Sequence, residues 1–430
     1  MRYPRAEGTF DILPSLPAGR SESRSWVHDS TKWQWIEGLF RERCRRSGFH
    51  EIRTPVFEDT ELFHRAVGDG TDIVVKETYD FTTRGGDRLT LRPEGTAGAI
   101  RAYRDGHLWL ERPTTKLFYI GPNFRYESGQ RGRYRQHHQA GVEVLGCDDP
   151  AVDAEVISLA TAFYRDAGVQ RLKVKINSVG TAESRALYLN ALRAYAEPLL
   201  PRMSDDNRRR FRENPLRMLD SKDPRDIELL AGAPSILDHL DNESEEHFRR
   251  LRSHLDALGV QSEVDPRLVR GFDYYTRTAF EIQAPELGDK ALGGGGRYNR
   301  LVEEIGGPPT PGIGFGLGIE RVLLTLEESG AVGPEPRGLD AFLCPLGDTA
   351  RAACVPLLAR LRDAGIAVDM DYTGRRLKVM LEQADGAGAP FAVIIGEDEL
   401  ARGEAMVRAL GTREQEAIGF DDLAQRLKRV

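Results

Sequence analysis

Apolar residues in 31–48, TKWQWIEGLFRERCRRSG, recur at helical spacing and stop at a glycine, which predicts a helix. FHEIRTPVFED follows as a short strand interrupted by Pro55, a residue that suits an edge or an end of pairing because it donates nothing to a ladder. RLTLRPEGTAGAIRAYRDG reads as strand then helix. TKLFYIGPNFRYESGQRGRYRQHHQAGVEVLG has apolar ends around a polar, arginine-rich middle, the pattern of a long-looped hairpin. RLKVKINSVG alternates as another strand. From Tyr275 to Ile282 the alternation is regular, with Thr276, Thr278, Phe280 and Ile282 on one side and Tyr275, Arg277, Ala279 and Glu281 on the other. A half-buried strand is expected there.

Between about 181 and 260 the texture changes to charged helical stretches such as ESRALYLNALRAYAEPLL and EEHFRRLRSHLDALG, a helical insertion between two strands of one domain. Strands return through ALGGGGRYNRLVEEIGG and PGIGFGLGIERVLLTLEESG. Glycine and proline then mark a linker, and beyond it strand and helix patterns alternate from LDAFLCPLG onward, which predicts a compact α/β domain. The expected organisation is a core over 1–330 with the insertion at about 181–260, a linker over 331–337, and a second domain over 338–430.

Thirty per cent charged and 40% apolar residues in a 430-residue chain describe a globular protein of two or three domains. No apolar run reaches the length of a membrane span, and the N-terminus lacks a signal-peptide core. Cys44, Cys147, Cys344 and Cys354 lie far apart with no CxxC pair, which argues against a zinc knuckle or a disulfide framework and for the cytoplasm. The net charge of −7 means that any nucleic acid must be met by local patches.

Several groups carry candidate chemistry. Arg125, Arg131, Arg133 and Arg135 crowd the hairpin loop with only Glu127 opposing them nearby, so the loop is either a solvated charged surface or a phosphate site. Gln139 and Glu143 share a face of the following strand and could bind a small polar cation or heterocycle. Glu94 and Thr96 point one way if extended; the alternative is a helix start capped by Thr96. The run ALGGGG fits neither a Walker loop nor a dinucleotide fingerprint. In GIGFGLGIERVLLTL, small residues alternate with apolar ones, so either something flat such as adenine lies on the glycine face, with Arg321 at the following helix start, or helix and sheet pack tightly. Arg270 stands before Gly271 at the entrance of the Tyr275–Ile282 strand. An arginine beside buried tyrosines needs an anion, either a protein carboxylate or a substrate phosphate.

Together these segments resemble the class II aminoacyl-tRNA synthetases, and among them the histidyl-tRNA synthetase family, over nearly the whole chain. FHEIRTPVFED, the arginine-rich hairpin and GIGFGLGIERVLL look like the three class signatures; LVRGFDYYTRTAFE and ALGGGGRYNRLV look like the two histidine-specific peptides. The resemblance implies an α+β fold: an antiparallel-sheet catalytic domain with a helical insertion, followed by a small α/β anticodon-binding domain. It implies ATP-dependent formation of histidyl-adenylate and transfer to tRNA(His) by a homodimer, with Mg2+ accompanying ATP. Arg270 and Arg125 are then expected at the α-phosphate, Glu127 near the adenine, Arg133 near the β- and γ-phosphates, and Arg321 over the adenine and γ-phosphate. Glu94, Thr96 and Gln139 are expected at the amino acid, and Glu143, Tyr274 and Tyr275 around its imidazole. Gln130 and Arg131 would meet the tRNA acceptor end. The chain departs from the family pattern at Ser128 and Gly129, where many bacterial relatives have Arg-Pro, at His137 in place of phenylalanine, and at Asn299 in place of aspartate. The alternative function is a non-catalytic histidine-sensing subunit of ATP phosphoribosyltransferase, a paralogue that generally lacks the last domain.

Overall fold

The computed structural model describes residues 3–15, 24–68, 71, 73–127, 131–268, 274–288 and 291–428. Arg270, Gly271, Ser128, Gly129 and Gln130, all singled out by the sequence, lie outside the described residues. Two compact units are present, Met1–Ile12 with Ser25–Val332 and Leu13–Arg24 with Gly333–Val430.

The first unit is built on a large sheet of β1 (His50–Glu51), β2 (Thr115–Phe124), β3 (Gln136–Leu145), β4 (Lys173–Ser178), β5 (Glu263–Val264), β6 (Thr276–Gln283), β7 (Ala291–Arg297) and β8 (Gly312–Gly318). Their order is β1-β2-β3-β8-β7-β6-β4-β5, antiparallel throughout except for the two short edge strands β1 and β5. Pro55 separates β1 from Phe57–Asp59, which joins Tyr79–Thr82 and Arg88–Leu91 in a small sheet of its own.

Helices α1 (Ser30–Arg46), α2 (Thr96–Asp105), α3 (Pro150–Asp166), α4 (Asn242–Ala257) and α5 (Ile319–Glu328) flank the large sheet. Asp29 starts α1 by accepting the Thr31 N–H at 2.9 Å, and the chain turns away after it at Gly48, φ 75°. α1, α3, α4 and α5 give Phe40, Phe163, Leu251 and Leu323 to a core shared with Phe280 and Phe315 of the sheet. The opposite face packs Ala97, Ile100 and Tyr103 of α2 with Leu117, Leu145, Tyr275 and Tyr298.

β6 alternates as the sequence says, but each side enters a core: Phe280 and Ile282 face the four helices, Tyr275 and Ala279 the α2 side. The strand is therefore covered on both faces rather than half-buried. Between β4 and β5 the chain forms helices Ala182–Ala196, Asp205–Glu213 and Pro224–Leu229 before α4 returns to the core.

The second unit has five strands ordered Val368–Met370, Ala341–Pro345, Phe391–Ile395, Glu404–Ala409 and Gln415–Gly419. The first three are parallel and joined by helices Asp348–Asp363 and Leu377–Gly386. The last two form an antiparallel hairpin that strand–helix alternation did not indicate.

Candidate active site

The centre of the large sheet floors a cavity of about 250 Å³. Its walls include Glu94, Thr96, Arg125, Glu127, Arg133, His137, Gln139, Tyr274, Tyr275, Tyr298, Glu320 and Arg321. Residues far apart in sequence meet here because β3, β8 and β7 are neighbours and α2 and α5 both begin at this face.

The alternation in GIGFGLG has a clear cause. Ile313, Phe315 and Leu317 enter the helix-covered core, while the glycines face the cavity side. A Cβ at Gly312 would lie 2.4 Å from the Tyr298 ring, at Gly314 1.9 Å from Glu143 Oε2, and at Gly316 1.8 Å from Gln139 Nε2. These glycines make room first for the protein's own polar side chains. The flat ligand expected from the pattern is not needed to explain them.

Glu94 and Thr96 come together at the start of α2, with their roles exchanged. Glu94, buried, accepts the backbone N–H of Thr96 at 2.6 Å and of Ala97 at 2.7 Å, so the glutamate rather than the threonine caps the helix. Burial raises its pKa above the usual carboxylate value, against those two bonds and the nearby Arg125. Each oxygen keeps a lone pair for a further donor. Glu143 lies behind the wall formed by Tyr298. It accepts from Tyr119 Oη at 3.0 Å and from Tyr298 Oη. Burial, with Glu94 adding to it, raises its pKa to about 8 despite the hydroxyl donors. Tyr274 packs on Tyr275 at 4.7 Å between ring centroids and edge-on to Tyr298 at 5.7 Å. Gln139 accepts from Asn123 Nδ2.

The cationic half of the cavity is held by backbone. Arg125 Nε donates to the Pro93 carbonyl at 2.8 Å, and Arg321 donates to the Gly132 and Ala291 carbonyls at 3.1 and 2.7 Å. Among the described residues neither arginine has a carboxylate partner. Arg321 is held below the ordinary arginine value by burial and by the charges of Arg133 and Arg125. Arg133 approaches Glu127 at 3.5 Å, and Glu127 Oε2 is shielded from solvent with no hydrogen-bond donor among the described residues. His137 lines the same region; burial, Arg125, His138 and Arg321 push its pKa down to about 3, so the ring is neutral near pH 7.

Arg131 stands apart from the cavity wall, exposed and paired with Glu328 at 2.9 Å. Arg135 turns to the N-terminal segment, where its N–H meets the Gly8 carbonyl at 2.8 Å. Four site residues escaped the sequence reading: Tyr119, Tyr298, Asn123 and Glu320. Glu320 fastens the hairpin to α5 by accepting from the His138 backbone N–H at 2.8 Å. Gly95 and Gly141 were the available signal for Tyr119, since a Cβ at either would strike its ring at 2.2–2.5 Å.

An antiparallel sheet of this kind, whose glycine-rich central strands floor a cavity of arginines and buried carboxylates, defines a class II aminoacyl-tRNA synthetase. The chain belongs to the histidyl-tRNA synthetase family: the model of that family matches residues 28–322, and an anticodon binding domain model matches 340–430. Histidine–tRNA ligase of Pelotomaculum thermopropionicum is 48% identical over 99% of this chain and 97% of its own, and that of Anoxybacillus flavithermus 47% over the whole of both. The crystal structure of apo S. aureus histidyl-tRNA synthetase superposes with a TM-score of 0.81 at 38% identity over the full length of both chains. An ATP phosphoribosyltransferase regulatory subunit/histidyl-tRNA synthetase from Bacillus halodurans C shares the fold, with a TM-score of 0.66 at 22% identity over 92% of this chain and 99% of its own.

Proposed function

We propose that this chain charges tRNA(His) with L-histidine in two steps in the cavity described above. The histidine carboxylate oxygen attacks the α-phosphorus of ATP, the bond from that phosphorus to the bridging oxygen breaks, and pyrophosphate leaves. A hydroxyl oxygen at the tRNA 3′ end then attacks the histidyl carbonyl carbon and loses its proton, the bond from that carbon to the phosphate oxygen breaks, and AMP leaves. Charge grows on the α-phosphate oxygens and on pyrophosphate during the first step, so fixed cations stabilise the transition state more than the ground state. Arg125 supplies one such cation, and Arg270 is assigned to the same phosphate on sequence resemblance alone. Arg133 and Arg321 take the outer phosphates, with Arg321 also over the adenine. The shielded oxygen of Glu127 suits the exocyclic amine of that base.

Glu94 and Thr96 hold the histidine ammonium with Gln139, and Tyr274, Tyr275 and Glu143, the last acting with Tyr298, surround the imidazole. Such a site rejects side chains that leave its polar groups unpaired. ATP brings Mg2+ on its own phosphates; no three carboxylate, imidazole or thiol groups converge among the described residues, and none is assigned to the ion. Gln130 and Arg131 are proposed at the acceptor end, and residues 338–430, after a linker at 331–337, at the anticodon. Half-exposed Val56, Phe57 and Phe81 near Pro55 suit a homodimer contact. No described helix is long and apolar enough to cross a membrane, and the four cysteines are free thiols, which supports a cytoplasmic setting.

The observation that carries this reading is the pair Arg125 and Arg321, cations in a walled cavity that, among the described residues, hydrogen-bond to carbonyls and to no carboxylate. The test is histidine-dependent exchange of labelled pyrophosphate into ATP, followed by addition of tRNA. Exchange with histidine alone among the amino acids, then transfer to tRNA, supports the synthetase. Histidine binding without exchange would favour the regulatory paralogue instead, a reading that the match to an anticodon binding domain opposes.

A further inference from the structure

The entrance to β6, which carries Tyr274 and Tyr275, is gripped from the helical segment between β4 and β5 at a place the proposed reaction does not use. Gly296 lies opposite Ala279 but Arg297 lies opposite Thr276, so Arg277 and Thr278 bulge from the ladder with β7 while Thr278 keeps its place opposite Ser178 of β4, with Arg277 in the left-handed region at φ 49°. Backbone bonds hold the bulge: the Arg277 N–H donates to the Gly180 carbonyl at 2.9 Å, and the Val179 N–H to the Arg277 carbonyl at 2.6 Å. Arg185, on the first helix of the segment, donates to the Tyr275 carbonyl. The Arg277 guanidinium, 9% exposed, bridges Asp148 at 2.9 Å and Glu243 in the first turn of α4. Asp148 is shared, since its other oxygen accepts from Arg297 at 3.1 Å and from Asn299 Nδ2 at 2.8 Å. Next to this bulge, the Tyr275 ring covers Gly296, where a Cβ would lie 2.7 Å from it.

A non-glycine residue in this backbone region persists only where its surroundings over-determine it. Here the outside force is the two-ended ion pair. One end reaches the acidic turn after β3, the other α4, and the bulge between them fixes where Tyr275 leaves the strand. We propose that Arg277, with Glu243 and Asp148, is a positioning strut that ties the helical segment to Tyr274 and Tyr275 and thereby sets the affinity for histidine. This rests on the reading of those tyrosines as histidine-binding residues. A disturbance of the strut then acts on histidine and leaves ATP, which is gripped from β3 and α5, largely alone.

The test uses the full-length enzyme in pyrophosphate exchange, with KM for histidine and for ATP measured separately. Glu243→Gln removes one charge at the exposed end of the strut, where the fold tolerates it. It should raise the histidine KM roughly three- to tenfold, the scale of one charge-assisted bond partly open to solvent, and change the ATP KM less than about twofold. Arg277→Gly frees the left-handed backbone but removes both ion pairs; it should raise the histidine KM at least as much, while Arg277→Lys recovers part of the loss. Wild-type histidine KM in Arg277→Gly, or equal rises for histidine and ATP, would overturn the strut. A Tyr275→Phe control separates the two ideas: if it leaves the histidine KM unchanged, the tyrosine assignment fails; if it raises that KM while Glu243→Gln does not, only the strut fails.

Discussion

Two arginines withdrawn from solvent in the same domain have opposite surroundings. Arg297, fully buried in β7, meets Asp153 through Nε and Nη2, Asp148 at 3.1 Å and the Cys147 carbonyl at 3.0 Å, and these carboxylates lift its pKa against the cost of burial. Arg321, half-buried at the cavity, hydrogen-bonds only to carbonyls among the described residues, and burial with two neighbouring arginines depresses its pKa against the more distant Glu127 and Glu281. A buried cation without a bonded anion is costly, so the first site is complete as it stands and the second suits an anionic ligand, as proposed above. Composition does not distinguish them. The partners do, and they support the proposal that a polyphosphate binds in the cavity.

That contrast can be broken at either end. Arg297→Met leaves Asp153 buried without its partner and should lower stability by about 3–5 kcal/mol in urea unfolding, a loss that bound ATP does not selectively repair. Arg125→Ala or Arg270→Ala should leave stability nearly intact and slow single-turnover adenylate formation by about 10²–10³-fold, the scale for one lost transition-state donor. Near wild-type rates would remove the assigned role. Gly316→Ala pushes a methyl into Gln139 and should raise the histidine KM by roughly tenfold with a smaller effect on ATP. The last prediction concerns the pH dependence set by Glu143. Its folded pKa of about 8 lies above the ordinary glutamate value of 4.5, so the folded state binds the extra proton and its contribution to stability falls as pH rises between those values. Glu143→Gln should flatten that part of the Tm–pH curve; an unchanged slope would mean that Glu143 is ionised throughout.

Much of the fold was legible because the periodicities are strong. The hairpin of β2 and β3, the strand–helix unit ending in α2, and the start of α5, expected at Glu320 and found one residue earlier at Ile319, follow from spacing. What spacing could not show was partnership. Spacing places Arg277 on one side of its strand without naming a partner; the structure answers it with Asp148, 129 residues away in sequence, and with Glu243. The glycines of β8 looked like a ligand platform, but Glu143, Gln139 and Tyr298 occupy the space they leave. Glu94 and Thr96 read either as a pair on one face or as a helix start capped by Thr96, and it is Glu94 that caps the helix. In each case the deciding atom belongs to a strand or helix distant in the chain.

Calorimetric titration of the enzyme and of Arg125→Ala with ATP and, separately, with adenosine tests the central claim most directly. Completion of the cavity cations by phosphate predicts that ATP binds the wild type far more tightly than adenosine. Arg125→Ala should then lose about tenfold or more for ATP, the order expected for a charge-assisted contact, with adenosine little changed. Equal affinities for the two ligands, or an ATP affinity indifferent to Arg125, would contradict it.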